Sequence, residues 1–363
     1  MKILYFGGPT THMRKFATTF ASRHEVRTAV FRESGMPNEV LIGGTSKATR
    51  WTPALAVPLV RKLIEREKPD LVHSFYLLPF SFLGARAGAS PHVISAMGDD
   101  IYPPGPHSQF RNRLLHLTGI PRDWHLQTSR RFDAAVVECE HARQRMEKLG
   151  YAGAKVSVIT WGPDCTVFRP EARDVRLRER LLGDLSQLVI CSRAMWKEYG
   201  VHDLVDAFAS VREEAVLVLL GSGPEAAALR RQAERRGIGG RIRFIGQVRP
   251  DEVAAYVASA DVMVSPSYTD TVSTSLLEGM ACGVPSVATD VGGTGEFVKE
   301  GENGLLLPPG RPELIAEALD RLLSDGSLMA RLGRKGREVV LEKADWAKRW
   351  REVQALYESV AKR

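Results

Sequence analysis

Short apolar runs of strand length alternate with amphipathic stretches from one end of the chain to the other. A run at 3–6 is followed by a helical pattern at about 12–22 and by a second run at 26–31. Such alternation predicts βα units laid around parallel sheets rather than chains of hairpins. Further strands are expected at 71–74, 92–96, 134–138 and 156–160, with helices around 52–67 and 139–149. The rhythm breaks at Phe168-Arg-Pro170, passes through a charged stretch at 171–179, and restarts at Leu188-Val-Ile-Cys191. Strands then follow near 216–220, 242–245, 261–264 and 286–288, so the sequence predicts two doubly wound α/β domains, 1–170 and 171–343, joined by a linker. At the end, Trp346, Trp350, Val353 and Tyr357 recur at helical spacing, giving a last helix over 344–363 with one buried face.

Length agrees with this division, since 363 residues suffice for two domains with a core each. No tract of low complexity and no solenoid period interrupts the chain. The start Met1-Lys-Ile-Leu-Tyr-Phe-Gly-Gly8 lacks the apolar region of a secretory signal, and no apolar run is long enough to span a bilayer. A cytoplasmic protein is expected. Cys139, Cys165, Cys191 and Cys282 are widely spread without a CxxC pair, which predicts buried free thiols rather than disulfides or a zinc site. The net charge of +7 favours acidic ligands, including nucleotide-sugars, lipid pyrophosphates and anionic membrane surfaces. The excess cations are mostly arginine spread through the helices, and no nucleic-acid-binding module is evident.

The chemistry concentrates in Asp270-Thr-Val-Ser-Thr-Ser-Leu-Leu-Glu278. Asp270 falls in a loop after the strand at 261–264, and Glu278 about one and a half turns into a helix beginning near Ser273. The backbone N–H groups of Val272, Ser273, Thr274 and Ser275 open that helix, and such donors bind phosphate. Arg193 and Lys197 follow the strand at 188–191, at the sheet end where open α/β folds receive ligands. An arginine about 4 Å from a phosphate contributes on the order of 4 kcal/mol at an effective dielectric of 20, before desolvation is subtracted. That exceeds the roughly 0.3 to 1 kcal/mol of a helix terminus, so the cations lead and the helix assists.

These residues resemble the retaining glycosyltransferases of family four, whose signature is Glu, seven residues, Glu. The likeness continues through Leu219-Leu-Gly-Ser-Gly-Pro224, Arg243-Phe-Ile-Gly-Gln-Val248, Pro285-Ser-Val-Ala-Thr-Asp-Val-Gly-Gly293, Glu296 and Asn303-Gly-Leu-Leu-Leu-Pro308. It is looser in Phe6-Gly-Gly8, Asp70-Leu-Val-His73 and Trp161-Gly-Pro-Asp-Cys-Thr-Val-Phe-Arg-Pro170. The resemblance implies a GT-B fold of two Rossmann-like domains facing across a cleft, the last helix crossing back onto the first. It implies a donor site in the second domain, with Glu278 accepting from the ribose hydroxyls and Asp270 contacting the sugar. Arg193 and Lys197 are then the pyrophosphate cations, and Gly8, Gly221, Val248 and Leu276 complete the donor pocket. Two departures stand out. Asp270 replaces the family's first Glu, and Tyr199 stands where a Lys is usual, leaving Lys197 as the substitute.

On the first domain, Asp99, Asp100 and His73 are the acceptor-side candidates, although a turn-forming pair accounts equally well for the two Asp and a satisfied buried histidine accounts better for His73. His12 and His24 read as structural. Met97 stands where many family members carry His, which leaves no evident side-chain base. Front-face retaining transfer, in which a leaving-phosphate oxygen takes the acceptor proton, needs none. No ligand-spaced cluster suggests a metal, and no cofactor is expected beyond the nucleotide-sugar substrate. The expected activity is metal-independent hexosyl transfer from a nucleoside-diphosphate sugar, UDP-sugar favoured, to a glycan, lipid-linked or small-molecule acceptor. The basic, partly apolar segment from Arg111 to Trp124 suits either a helix on the first core or peripheral contact at the inner membrane face. A nucleotide-sugar epimerase of the same architecture and a non-catalytic nucleotide-sugar-binding protein are the alternatives. A dehydrogenase is disfavoured because neither glycine-rich turn has dinucleotide spacing.

Overall fold

A computed structural model describes residues 1–42, 53–101 and 128–362. It divides into two compact units, one formed by Met1–Ile159 with Arg349–Arg363 and the other by Thr160–Lys348. Among the described residues, the first unit carries a seven-stranded sheet in the order β3-β2-β1-β4-β5-β6-β7. Its strands are β1 Lys2–Phe6, β2 Glu25–Val30, β3 Glu39–Leu41, β4 Leu71–Phe75, β5 His92–Ser95, β6 Ala134–Val137 and β7 Val156–Val158. The second unit has six strands in the order β10-β9-β8-β11-β12-β13. These are β8 Gln187–Cys191, β9 Ala215–Leu220, β10 Ile242–Gly246, β11 Val262–Ser265, β12 Ser286–Thr289 and β13 Leu305–Leu307.

All the paired strands run parallel. This is why β9, Ala215-Val-Leu-Val-Leu-Leu220, is apolar at every position: helices cover both faces, and all six residues are buried. Two apolar clusters form the second core, one around Val189, Leu217, Leu204 and Leu319, the other around Leu188, Val216, Met263 and Leu177. The first core includes Leu4, Phe6, Val72, Phe82 and Val60. The two doubly wound units agree with the alternation read from the sequence. The strands β3 and β13 were not foreseen; each has three residues, too few to show a period.

The boundary also differs. Residues 160–182 belong to the second unit, so the charged stretch after Pro170 is not a linker. It forms the helix Val175–Leu182, capped by Asp174, which accepts from Leu177 N. Leu177 and Leu181, four apart, are buried on one face, while Arg178 ion-pairs with Asp261 at 2.8 Å. Its many charges concealed a helix with only two buried positions. The last helix, Trp346–Ala361, begins in the second unit and continues in the first, burying Val353, Tyr357 and Val360. The four cysteines are free and buried.

Candidate functional site

In the second sheet the strand order reverses between β8 and β11, which lie side by side. Loops leaving adjacent strands at such a switch point diverge and open a crevice beyond their C-terminal ends. Arg193 leaves β8 and Asp270 follows β11, so the topology alone brings them together. Arg193 Nη2 donates to Asp270 Oδ2 at 2.6 Å, and Nη1 donates to Ser273 Oγ at 3.0 Å. The two charged side chains are only 11% and 15% exposed. The Tyr199 ring lies 4.0 Å from the guanidinium carbon, a cation–π contact that fixes its plane. Burial works against the charge on Arg193, yet Asp270 beside it, helped by Tyr199 and Cys191, raises its pKa above the ordinary guanidinium value. Nε of Arg193 is buried and has no partner among the described residues.

Ser273 has a second task. It caps the helix Thr274–Ala281, accepting from Leu276 N at 3.2 Å, and Leu277 N makes the first intrahelical bond to Ser273 O. The amides of Thr274 and Ser275 thus open the helix without intrahelical partners. Val272 and Leu276 are buried beside them. Glu278 is half-buried on the same helix. Four residues on, burial first and then the nearby Glu278 carboxylate push the Cys282 thiol up to about 12.

Two glycines set the walls. Gly221, at φ +133°, follows β9, and a Cβ there would lie 2.6 Å from the carbonyl oxygen of Arg193. Its N–H donates to Gly246 O at 2.8 Å, which brings the loop carrying Val248 alongside. Gly292, at φ +56°, follows β12, and a Cβ there would overlap the carbonyl oxygen of Asp270. Neither Gly292 nor Tyr199 was given a role by sequence reasoning. The Gly292-Gly293 pair was the available signal, whereas Tyr199 stood out only as a missing lysine.

Other candidates fall differently. Lys197 is exposed on the turn Lys197–Tyr199. Gly8 follows β1 in the first unit, at that sheet's own switch point between β1 and β4. Asp100 accepts from Leu77 N at 2.9 Å and Met97 N at 3.1 Å, so it ties together the loops after β4 and β5. Asp99 lies in the turn Gly98–Asp100, and its side chain is outside the described residues. His73 takes the satisfied, buried place favoured for it over an acceptor role: it is fully buried in mid-strand, its nitrogens 2.5 Å from Tyr357 OH and 2.8 Å from Ser95 Oγ. Burial lowers its pKa to about 3, which keeps the ring neutral at neutral pH. The basic segment Arg111 to Trp124 lies outside the described residues. Among the described residues, no group of three or more His, Cys, Asp or Glu is arranged to hold a metal, and no helix is long and apolar enough to cross a membrane.

Known proteins share both sequence and fold with this chain. The family described as Glycosyltransferase Family 4 matches residues 6–167, and Glycosyl transferases group 1 matches 178–339. The lipopolysaccharide core biosynthesis glycosyltransferase LpsE of Rhizobium meliloti is 35% identical over 290 residues, covering 79% of this chain and 75% of that protein. The chain belongs to the family 4 glycosyltransferases. This glycosyltransferase is also 27% identical over 335 residues to a GDP-mannose-dependent phosphatidylinositol monomannoside mannosyltransferase of Mycobacterium tuberculosis, covering 88% of this chain and 81% of that enzyme. Its fold matches HepE of Anabaena, solved with UDP, at a TM-score of 0.82, 20% identity and coverage of 99% and 100%. A sucrose-phosphate synthase from Thermosynechococcus elongatus matches at 0.82 and 21% identity, with coverage of 99% and 98%. The glycosyltransferase thus has the GT-B architecture expected from its sequence.

Proposed function

We propose that this glycosyltransferase moves a hexosyl group, with retention and without a metal, from a nucleoside-diphosphate sugar to a glycan or lipid-linked acceptor. The observation that carries the reading is Arg193 at the switch point, aimed by Asp270 and Ser273, with an unpartnered buried Nε beside a helix opening. In this reading Arg193 and the amides of Thr274 and Ser275 hold the pyrophosphate. Charge grows on the leaving phosphate in the transition state, and donors already fixed there act without reorganisation. Glu278 accepts from the ribose hydroxyls, as a carboxylate is able to do twice. Lys197, on its exposed turn, reaches the distal phosphate. Asp270 orients Arg193 and contacts the sugar.

The anomeric carbon's bond to phosphate oxygen breaks, its bond to the acceptor oxygen forms on the same face, and the acceptor proton passes to the departing phosphate. That route suits a loop in which Met97 stands and Asp100 is occupied by backbone amides. A UDP-sugar is the favoured donor, supported by neighbours solved with UDP and with UDP-glucose. A GDP-sugar is the second choice, supported by the name of the mycobacterial relative. That name and the lipopolysaccharide role of LpsE favour a lipid-linked acceptor, met at the cytoplasmic membrane face.

Calorimetry with UDP-, GDP- and ADP-sugars is expected to show binding to one base class. Arg193→Ala and Glu278→Ala should each greatly weaken it while the fold is retained. Transfer to an added acceptor, insensitive to EDTA, distinguishes this activity from epimerisation. Unchanged turnover in both variants rejects the reading.

A further inference from the structure

The loop carrying Asp270 is pinned at more points than its length requires. Thr289 Oγ1 donates to Ser267 O at 2.5 Å, anchoring the loop to the end of β12. One residue later, Tyr268 N donates to Glu198 O at 2.9 Å, which joins it to the loop of Arg193 and Tyr199. The Tyr268 side chain reaches farther across. Its hydroxyl donates to Asp203 Oδ2 at 2.5 Å and lies 3.0 Å from His202 Nε2.

Asp203 is 8% exposed and sits in the first turn of the helix Val201–Phe208, where the helix dipole favours its charge. That helix starts directly after the loop bearing Tyr199, at Gly200, which packs against the carbonyl of Pro266. A rigid element on the β8 side is therefore bonded to a side chain two residues from Asp270 on the β11 side. Burial, with Asp203 adding to it, raises the Tyr268 pKa, so the phenol remains a donor at neutral pH. The donor and its acceptor have no part in holding phosphate or ribose in the reading above. Their chemistry is that of a strut.

We infer that Tyr268 is a positioning residue for glycosyl transfer: its bond to Asp203 fixes the spacing of the two loops that present Arg193 and Asp270. The inference rests on the donor-site reading given above. A reacting group displaced by about 1 Å loses roughly a hundredfold in rate, whereas binding of the nucleotide is spread over many contacts and tolerates such a shift. Losing the strut should thus lower kcat and spare KM.

The test compares Tyr268→Phe, Asp203→Asn and the double variant with wild type, using UDP-glucose and GDP-mannose as donors and release of UDP or GDP as the signal. Tyr268→Phe is expected to lower kcat about tenfold, with donor KM within about twofold and an unchanged calorimetric stoichiometry for the nucleoside diphosphate. The double variant should fall no further than Tyr268→Phe, because the hydroxyl from which residue 203 accepts is then already gone. Full turnover in Tyr268→Phe, a rise in KM alone, a loss of binding-competent protein matching the loss of rate, or multiplying effects in the double variant would each overturn the inference. Arg193→Ala keeps the two questions apart. Its full activity would defeat the donor-site reading itself, whereas its inactivity beside a fully active Tyr268→Phe would defeat only the strut.

Discussion

The two units share one topology and bury polar groups in different places. In the first, one set of polar atoms lies within the sheet: His73 on β4 bonds Ser95 on β5 and Tyr357, and His92 Nε2 bonds Ser74 Oγ at 2.8 Å. These groups bond to one another and are closed to solvent. In the second, Arg193, Asp270 and Ser273 stand past the strand ends, and Arg193 keeps a donor to spare after meeting the other two. Buried polarity inside a strand specifies packing, whereas buried polarity just beyond a strand's C-terminal end is available for chemistry.

The sharpest way to break this contrast is Arg193→Ala. A fixed donor to a developing anion is worth about two to three orders of magnitude in rate, so turnover of the nucleotide-sugar should fall by roughly 10²- to 10³-fold. The thermal midpoint should change far less than the rate. A comparable loss from an alteration at His73 in fully folded protein would erase the distinction.

Next in size is Tyr357→Phe. It removes the hydroxyl facing His73 Nδ1, leaving a buried ring nitrogen without its partner at a cost of about 1 to 3 kcal/mol. Denaturant unfolding should register that loss, while kcat per folded molecule stays the same. A drop in kcat without a stability change would assign Tyr357 to the reaction instead.

The smallest expected effect concerns acid. Burial lowers the pKa of His73 to about 3 and of His92 to about 4, both below the unfolded value of about 6.5. The unfolded chain therefore binds more protons between these values, so stability rises with pH across the window and is lost as pH falls below about 6.5. Between pH 7 and 6 each histidine removes about 0.7 kcal/mol from the folded state. Hydrogen-exchange protection should weaken in Leu71–Phe75 more than in Gln187–Cys191 over that step. Equal weakening in the two strands would show that the acid response is not seated in the buried histidines.

Much of this was readable beforehand because parallel strands covered on both faces are written as unbroken apolar runs, as in Ala215–Leu220. The helix start at Ser273 was readable for a related reason: a hydroxyl followed by an apolar run is how a cap is encoded. For His73 only the strand end was misjudged: the strand continues through Phe75, which moves the histidine from near a strand end to its middle. The boundary misled because charge masked the helix that Leu177 and Leu181 anchor. Tyr268 gave no warning, since a single aromatic in a loop has no period, and its partner lies 65 residues away in the chain. The pairing of Arg193 with Asp270 depends on β8 lying beside β11, a fact of strand order that no local pattern records.

The segment 349–363, which supplies Val353, Tyr357 and Val360 to the first unit, follows the whole of the second in the polypeptide. During synthesis the amino-terminal unit therefore emerges first and is completed last, reversing the usual order in which domains mature from the ribosome. A chain ending before residue 349 would lack Val353, Tyr357 and Val360, and with Tyr357 the hydroxyl that faces His73.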